Sequence, residues 1–274
     1  MLQAREGFVS QVKPREVSDF LLSHGRPVVT LAEVAELLGV SEKAASAALV
    51  RLRRSGQMFS PQRGLYVAVP PQYRTWGAVP ALDFIDPMMR AGGFAYYVAL
   101  LSAAELHGAA HQRPQVFQVM VDRLLEDRDY GRVRVRFYQS RRVAELPTEL
   151  RNSSSGQVRV ATPAVTALDL CSRPRAGGGL SNVATVVGEL AEEGRLALDA
   201  VADLADRYPA AGLRRLGWLL DFVDSGLDTD PLREVVEAGA RGQSEDLLQP
   251  GGRRRGPRSQ RWGILENADV EPDL

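Results

Sequence analysis

The 274-residue sequence has a single cysteine, Cys171. No intramolecular disulfide can form, which points to a reducing compartment, the cytoplasm. Lysine is nearly as scarce. Lys13 and Lys43 stand alone, and every other basic residue is arginine. Beyond position 43 there is therefore no lysine to serve as nucleophile, general base or phosphate clamp. Long apolar runs are also missing. The most apolar stretch, Phe94 to Ala104, is about half the length of a membrane span, so no membrane association is expected. Met1 to Ser10 carries Arg5 and Glu6 and has no apolar run, so no signal peptide is expected. Neither charge sign is in excess, with 34 basic and 34 acidic residues; any charge argument must come from distribution.

These shortages also limit the chemistry. His107 and His111 are four apart, a spacing that places two imidazoles on one helix face, but Gly108 and Pro114 weaken such a helix and the Glu of a His-Glu-x-x-His site is missing. Asp83, Asp86 and Asp122 lack the Glu-x-Lys strand that a restriction-type nuclease requires. Gly177-Gly178-Gly179 is not followed by the Gly-Lys-Ser/Thr of a phosphate loop. Cys171 lies in apolar company and is read as buried and inert. The expectation is a protein that is not an enzyme, with no catalytic residue, no metal and no cofactor.

What is present is ordinary globular composition, 45% apolar and 25% charged, over a length that suits two domains. Apolar Val17, Phe20 and Leu21 predict a first helix, ended by Gly25-Arg26-Pro27. Thr30 reads as the N-cap of a second helix carrying Leu31, Val34, Ala35, Leu37 and Leu38, and Gly39 ends it. Ser41 caps a third helix that runs to about Ser55. Gln57–Ser60 and Gly64–Val69 then read as two strands joined by a turn at 61–64, and Pro70-Pro71 opens a linker. Helix, helix, glycine turn, helix and hairpin is the order of a winged helix-turn-helix. It is assigned to residues 1–71.

In the third helix, Ala45, Ala48, Leu49 and Leu52 make one apolar stripe. The opposite face carries Lys43, Ala47, Val50 and Arg54, with Ser46, Arg51 and Arg53 beside it. Small residues at 46 and 47 allow close approach to base edges, Lys43 near the helix start is suited to a guanine or a phosphate, and Arg51 and Arg54 to phosphates. Gln62 and Arg63 fall at the tip of the hairpin. From Gly39 to Arg74, six basic residues stand against one acidic residue, the footprint that phosphate binding requires. The expected DNA-binding set is Ser41, Lys43, Ser46, Ala47, Arg51, Arg54, Gln62 and Arg63, with double-stranded DNA as partner. A winged helix used for protein contacts, its arginines solvated, is the competing reading.

Residues 76–274 read as a larger mixed α/β domain with a small sheet and a helical C-terminal half, an α+β chain overall. Helices are predicted at 81–90, 94–107, 163–171, 181–193, 196–207, 211–223 and 231–239, and strands at 115–121, 132–138 and 157–161. Residues 152–156 read as a loop and 249–260 as a mobile stretch, with a possible final strand at 262–270. The alternation in Arg132-Val133-Arg134-Val135-Arg136-Phe137 predicts a half-exposed strand with an arginine face. Between Arg113 and Arg142 eight arginines face four acids, whereas from Gly188 to Leu247 fourteen acids face six arginines. The acidic helices would suit a basic partner. Solvated faces explain them equally well.

Four phrases in order resemble the AbiEi-type antitoxin family: Arg63-Gly64-Leu65-Tyr66-Val67; Tyr96-Tyr97-Val98-Ala99-Leu100-Leu101-Ser102-Ala103-Ala104-Glu105-Leu106-His107-Gly108; Thr162-Pro163-Ala164-Val165-Thr166-Ala167-Leu168-Asp169-Leu170; and Arg261-Trp262-Gly263-Ile264-Leu265-Glu266-Asn267. The resemblance implies an antitoxin that binds inverted repeats in its own promoter, represses transcription, and counters a cognate nucleotidyltransferase-like toxin, with or without a stable complex. Residue by residue, the same phrases read as framework and not as an active site, with Tyr97, Leu100, Leu101, Ala104 and Leu106 lining one buried helix. The Gly- and Arg-rich stretch before Trp262 departs from the family pattern. The alternatives are a winged-helix transcription factor whose C-terminal domain senses a ligand or binds a protein, and a nuclease delivered by the winged helix.

Overall fold

A computed structural model describes residues 12–109, 114–239 and 245–273. His111 and Arg113, singled out above, lie outside the described residues. The fold is mixed α and β with small sheets, and it divides into two compact units. One comprises residues up to Phe94 together with Arg128–Val135 and Asn152–Val158; the other comprises Ala95–Asp127, Arg136–Arg151 and Arg159 onward.

The first unit opens with α1 (Val17–Ser23), β1 (Val28–Thr30), α2 (Leu31–Leu38), α3 (Glu42–Arg54), β2 (Met58–Gln62) and β3 (Leu65–Ala68). Helix α2 begins where expected, because Thr30 and Glu33 form a reciprocal capping box: Thr30 Oγ1 accepts from the Glu33 N–H at 3.3 Å, and a Glu33 carboxylate oxygen accepts from the Thr30 N–H at 2.7 Å. The Thr30 N–H, foremost, holds the Glu33 carboxyl below its usual range. Gly39 ends α2 in the left-handed region at φ 62°, which costs a residue without a Cβ little. Ser41 caps α3 by accepting from the Ala44 N–H at 3.4 Å. Val17, Leu21, Val34, Leu38, Ala45, Ala48, Leu49, Leu52 and Met58 share one core.

A short antiparallel sheet of order β1-β3-β2 covers this core. The sequence reading missed β1, three residues long, whose formation depends on pairing Val28 with Val67. It also placed the turn too early. Pro61 and Gln62 belong to β2, and the turn is Arg63-Gly64. The stretch read as a linker is a 3-10 helix, Pro71–Trp76, within the same unit. A further helix, α4 (Ile85–Gly92), follows a separate 3-10 turn at Ala81–Asp83 in place of one helix over 81–90.

The chain continues through β4 (Tyr96–Val98), α5 (Leu100–Leu106), β5 (Phe117–Val121), β6 (Arg128–Tyr130), β7 (Val133–Gln139), β8 (Thr148–Ser153), β9 (Gly156–Ala161), α6 (Pro163–Ser172), α7 (Leu180–Glu192), α8 (Leu198–Ala202), α9 (Ala210–Phe222), α10 (Asp230–Gly239), β10 (Asp246–Leu247), β11 (Arg258–Ser259) and β12 (Ile264–Leu265). Six strands form a sheet of order β6-β7-β5-β4-β9-β8. Val98 on β4 faces Val119 of antiparallel β5 and Val160 of parallel β9.

The single helix expected over 94–107 is therefore a strand followed by a helix. Tyr96, Tyr97 and Val98 are all buried, and a short run buried on both faces has no alternation to distinguish it from a buried helix. Similarly, 196–207 holds a five-residue helix and a 3-10 turn, and within 152–156 only Ser154-Ser155 is a turn, joining β9 to a strand, β8, that was not foreseen. The arginine face of β7 is as predicted: Val133 and Val135 are buried, Arg134 is exposed, and Arg136 pairs with Asp127 at 3.3 Å.

Helix α6 lies at the centre of the second unit, packed against α5, α7, α8 and α9. Buried Arg215 on α9 donates to the carbonyls of Leu248 at 2.6 Å, Leu247 at 2.8 Å and Cys171. Segment 249–260, expected to be mobile, includes β11, and Gln249 accepts and donates bonds with Asn267. Only Ile264–Leu265 of the proposed last strand is extended in a sheet. Among the described residues no helix is long and apolar enough to cross a membrane.

Candidate nucleic-acid interface

Helix α3 has the two faces expected of it. Ala45, Ala48, Leu49 and Leu52 are buried, at most 4% exposed. Lys43, Ala47, Val50, Arg51, Arg53 and Arg54 are exposed on the other side. Three of the arginines fall in the last turn, where the negative end of the helix dipole favours cations.

The eight residues singled out in the sequence do not all fare alike. Ser41, Lys43, Ala47, Arg51, Arg54 and Arg63 are exposed, whereas Ser46 and Gln62 are half-buried. Ser41 is engaged in capping α3. Arg63 sits in the β2–β3 turn and Gln62 on β2 opposite Leu65. Arg74, counted in the basic stretch, is paired with Asp19 at 3.0 Å.

Val50, Arg53 and Arg54 border a groove of about 480 Å³, with Phe59, Ser60, Tyr130 and Gly131 on its other walls. Arg128–Val135, which carries Tyr130 and Gly131, belongs to the same compact unit as α3. The Tyr130 hydroxyl donates to the Pro61 carbonyl at 2.7 Å. Its ring meets Phe59 and Phe84 edge-on at centroid distances of 5.2 and 5.5 Å, a preferred aromatic geometry. Burial pushes the Tyr130 phenol up to about 12, so it stays a neutral donor. No local pattern signals this contact, because residues 130 and 61 are distant in the chain and neither belongs to a motif.

In the second unit the phrases singled out above contribute buried, hydrogen-bonded side chains. Asp169 is 1% exposed and accepts from the hydroxyls of Tyr97 at 3.0 Å and Tyr208 at 3.1 Å. Burial raises its carboxyl to about 6, against the pull of Arg173 and the two donors. Burial also raises both tyrosines. Tyr208 was not singled out in the sequence; its link to Asp169 spans 39 positions. His107 donates from Nε2 to the Ala161 carbonyl at 2.7 Å and accepts at Nδ1 from Arg151 at 3.4 Å. Desolvation lowers its pKa, so both ring nitrogens of a neutral imidazole are occupied. Cys171 is fully buried, and burial raises its thiol to about 12.

Two family models match the chain. Residues 15–69 match the family model described as "Transcriptional regulator, AbiEi antitoxin". Residues 97–222 match the one described as "AbiEi antitoxin C-terminal domain". No curated protein matches the chain. The crystal structure of the RV2827C protein from Mycobacterium tuberculosis has a similar fold, with a TM-score of 0.66 and 16% identity over 91% of this chain and 89% of that one. At that identity the likeness concerns the fold alone. Matched in chain order, the regulator segment and the antitoxin segment together support an AbiEi-type antitoxin.

Proposed function

We propose that residues 1–71 form a winged helix-turn-helix that binds double-stranded DNA at inverted repeats in the protein's own promoter. Helix α3 is then the recognition helix, and the β2–β3 hairpin is the wing. Residues 76–274 form the antitoxin domain, which counters a cognate nucleotidyltransferase-like toxin. The protein acts in the cytoplasm as repressor and antitoxin and carries out no catalysis.

The observation that carries this reading is the exposed face of α3. A cationic surface lies opposite a buried alanine–leucine stripe, inside the segment that matches a transcriptional regulator. On that face Lys43, Ser46 and Ala47 approach base edges, whereas Arg51 and Arg54 hold phosphates. Gln62 and Arg63 reach the backbone or a minor groove from the wing, and Ser41 orients the helix start. Arg53 and Val50 share the same surface and extend it towards Tyr130.

Two measurements test the two halves of the proposal. A mobility-shift titration with the DNA upstream of the protein's own reading frame should give a sequence-dependent complex that weakens steeply with salt. Co-expression with a neighbouring nucleotidyltransferase-like gene should restore growth. Equal affinity for promoter and unrelated duplex would refute the operator assignment. Persisting toxicity under co-expression would refute the antitoxin pairing.

A further inference from the structure

The second unit contains a cavity of about 610 Å³ that the DNA-binding reading does not use. Its wall includes four arginines: Arg141, Arg142, Arg173 and Arg207. Three of them are oriented by main-chain carbonyls. Arg142 donates to the Asp206 carbonyl, Arg173 to Gln139 at 3.3 Å, and Arg207 to Asp203 at 2.8 Å. A carbonyl fixes the direction of a guanidinium without cancelling its charge, and each guanidinium has five N–H donors. Arg141 is exposed and has no hydrogen-bond or ion-pair partner among the described residues.

The carboxylates on the wall are Asp169 and Asp206. Asp169 lies beneath the surface, shared between two tyrosine hydroxyls and 3.8 Å from Arg173. The Asp206 side chain is 79% exposed and lies 3.6 Å from Arg207, a geometry that contributes little. Four cations thus converge on a concave space with two carboxylates to offset them. Leu146 and Tyr208 add an apolar side. The volume lies within the range of small-molecule sites, about 300–1,000 Å³.

We infer that this cavity binds a small phosphorylated ligand, its phosphoryl oxygens held by the guanidinium forks of Arg141, Arg142, Arg173 and Arg207 and its organic part lying against Leu146 and Tyr208. Planar, permanently charged guanidinium groups match phosphoryl oxygens in pairs, which gives directional recognition that lysine does not provide. The antitoxin domain would then carry an effector site of its own, separate from helix α3 in sequence.

Thermal unfolding of the full-length protein tests this, with sodium pyrophosphate, ATP without magnesium, and sodium chloride matched for ionic strength. Pyrophosphate or ATP should raise the Tm saturably, with half the effect reached below about 1 mM, a few kcal/mol of affinity being enough. Comparable responses to both probes identify a site for phosphoryl groups alone. A response at least about tenfold tighter to ATP identifies a nucleotide site, since a tenfold gain corresponds to about 1.4 kcal/mol of contact with the organic part. Arg141→Glu should abolish the shift, and Arg141→Ala should weaken it by roughly tenfold or more. Arg159→Ala, at an exposed arginine outside the cavity, should respond like the wild type.

A Tm that merely follows the chloride control overturns the inference. So does an unchanged response in Arg141→Glu. If Arg141→Ala weakens duplex DNA binding while neither phosphate probe shifts the Tm, the arginines are a nucleic-acid contact and the inference is also overturned.

Discussion

The indole of Trp262 occupies the space where a side chain at Gly217 would begin: a Cβ on that glycine would lie 2.2 Å from the ring. Trp262 is 2% exposed, and its Nε1 donates to Asp221 at 2.7 Å, one turn further along α9. Gly217 sits within the helix. On helix propensity alone, replacing it with alanine should stabilise the protein by about 1 kcal/mol. The contact reverses that sign. Gly217→Ala is expected to lower stability by about 1–3 kcal/mol, the usual cost of overpacking. Urea denaturation should show a lower midpoint at unchanged slope. In the Gly217→Ala/Trp262→Leu double variant the two losses should be less than additive. A Gly217→Ala variant more stable than the wild type would remove this packing from the account.

Asp169 gives a pH signature. Its carboxyl is raised from an ordinary 3.8 to about 6, mainly by burial. The native state therefore holds a proton that the unfolded chain releases. The resulting stability is complete below about pH 4 and is lost as the pH rises through about 6. Asp169→Asn, which cannot titrate, should become more stable relative to wild type between pH 4.5 and 7, by on the order of 2 kcal/mol. Parallel Tm curves for the two proteins across that interval would contradict the assignment.

The α2 capping box behaves in the opposite sense. Glu33 is held below its usual range by the Thr30 N–H, so its contribution is present at neutral pH and disappears on acidification through its folded pKa. Thr30→Ala should cost about 1 kcal/mol at pH 7, the usual value of a lost cap. The gap between Thr30→Ala and wild type should narrow in acid. A constant gap would mean that Glu33 takes no part.

On α3 the residues should separate by role. Arg51→Ala and Arg54→Ala are expected to weaken binding to every duplex tested, each reducing the slope of log affinity against log salt by about 1. Lys43→Ala or Ser46→Ala should instead change the preference among sequences, by about 1–3 kcal/mol at a contacted base pair. Identical mobility-shift curves for variants and wild type would rule out this face as the contact.

Signals confined to a few neighbouring residues were legible in the sequence. Thr30, Gly39 and Ser41 marked helix boundaries correctly because capping is settled within one turn. The alternation around Val133 and Val135 revealed β7 for the same reason. Strand β4 was read as helix because Tyr96, Tyr97 and Val98 are buried on both faces. Strand β1 and the Tyr130–Pro61 contact depend on partners far along the chain, and no local pattern encodes them. The α3 surface was legible as a helix face. The arginine cavity was not, since its four guanidinium groups come from segments between residues 141 and 207 that meet only in three dimensions.

Among the described residues Arg215 is satisfied by main-chain oxygens at residues 171, 247 and 248, not by partner side chains. That arrangement constrains the path of the polypeptide while leaving the letters at those three positions comparatively open. Among descendants of this sequence, the arginine should outlast the residues it touches, and the tie it makes would pass unnoticed by any method that looks for pairs of positions changing together.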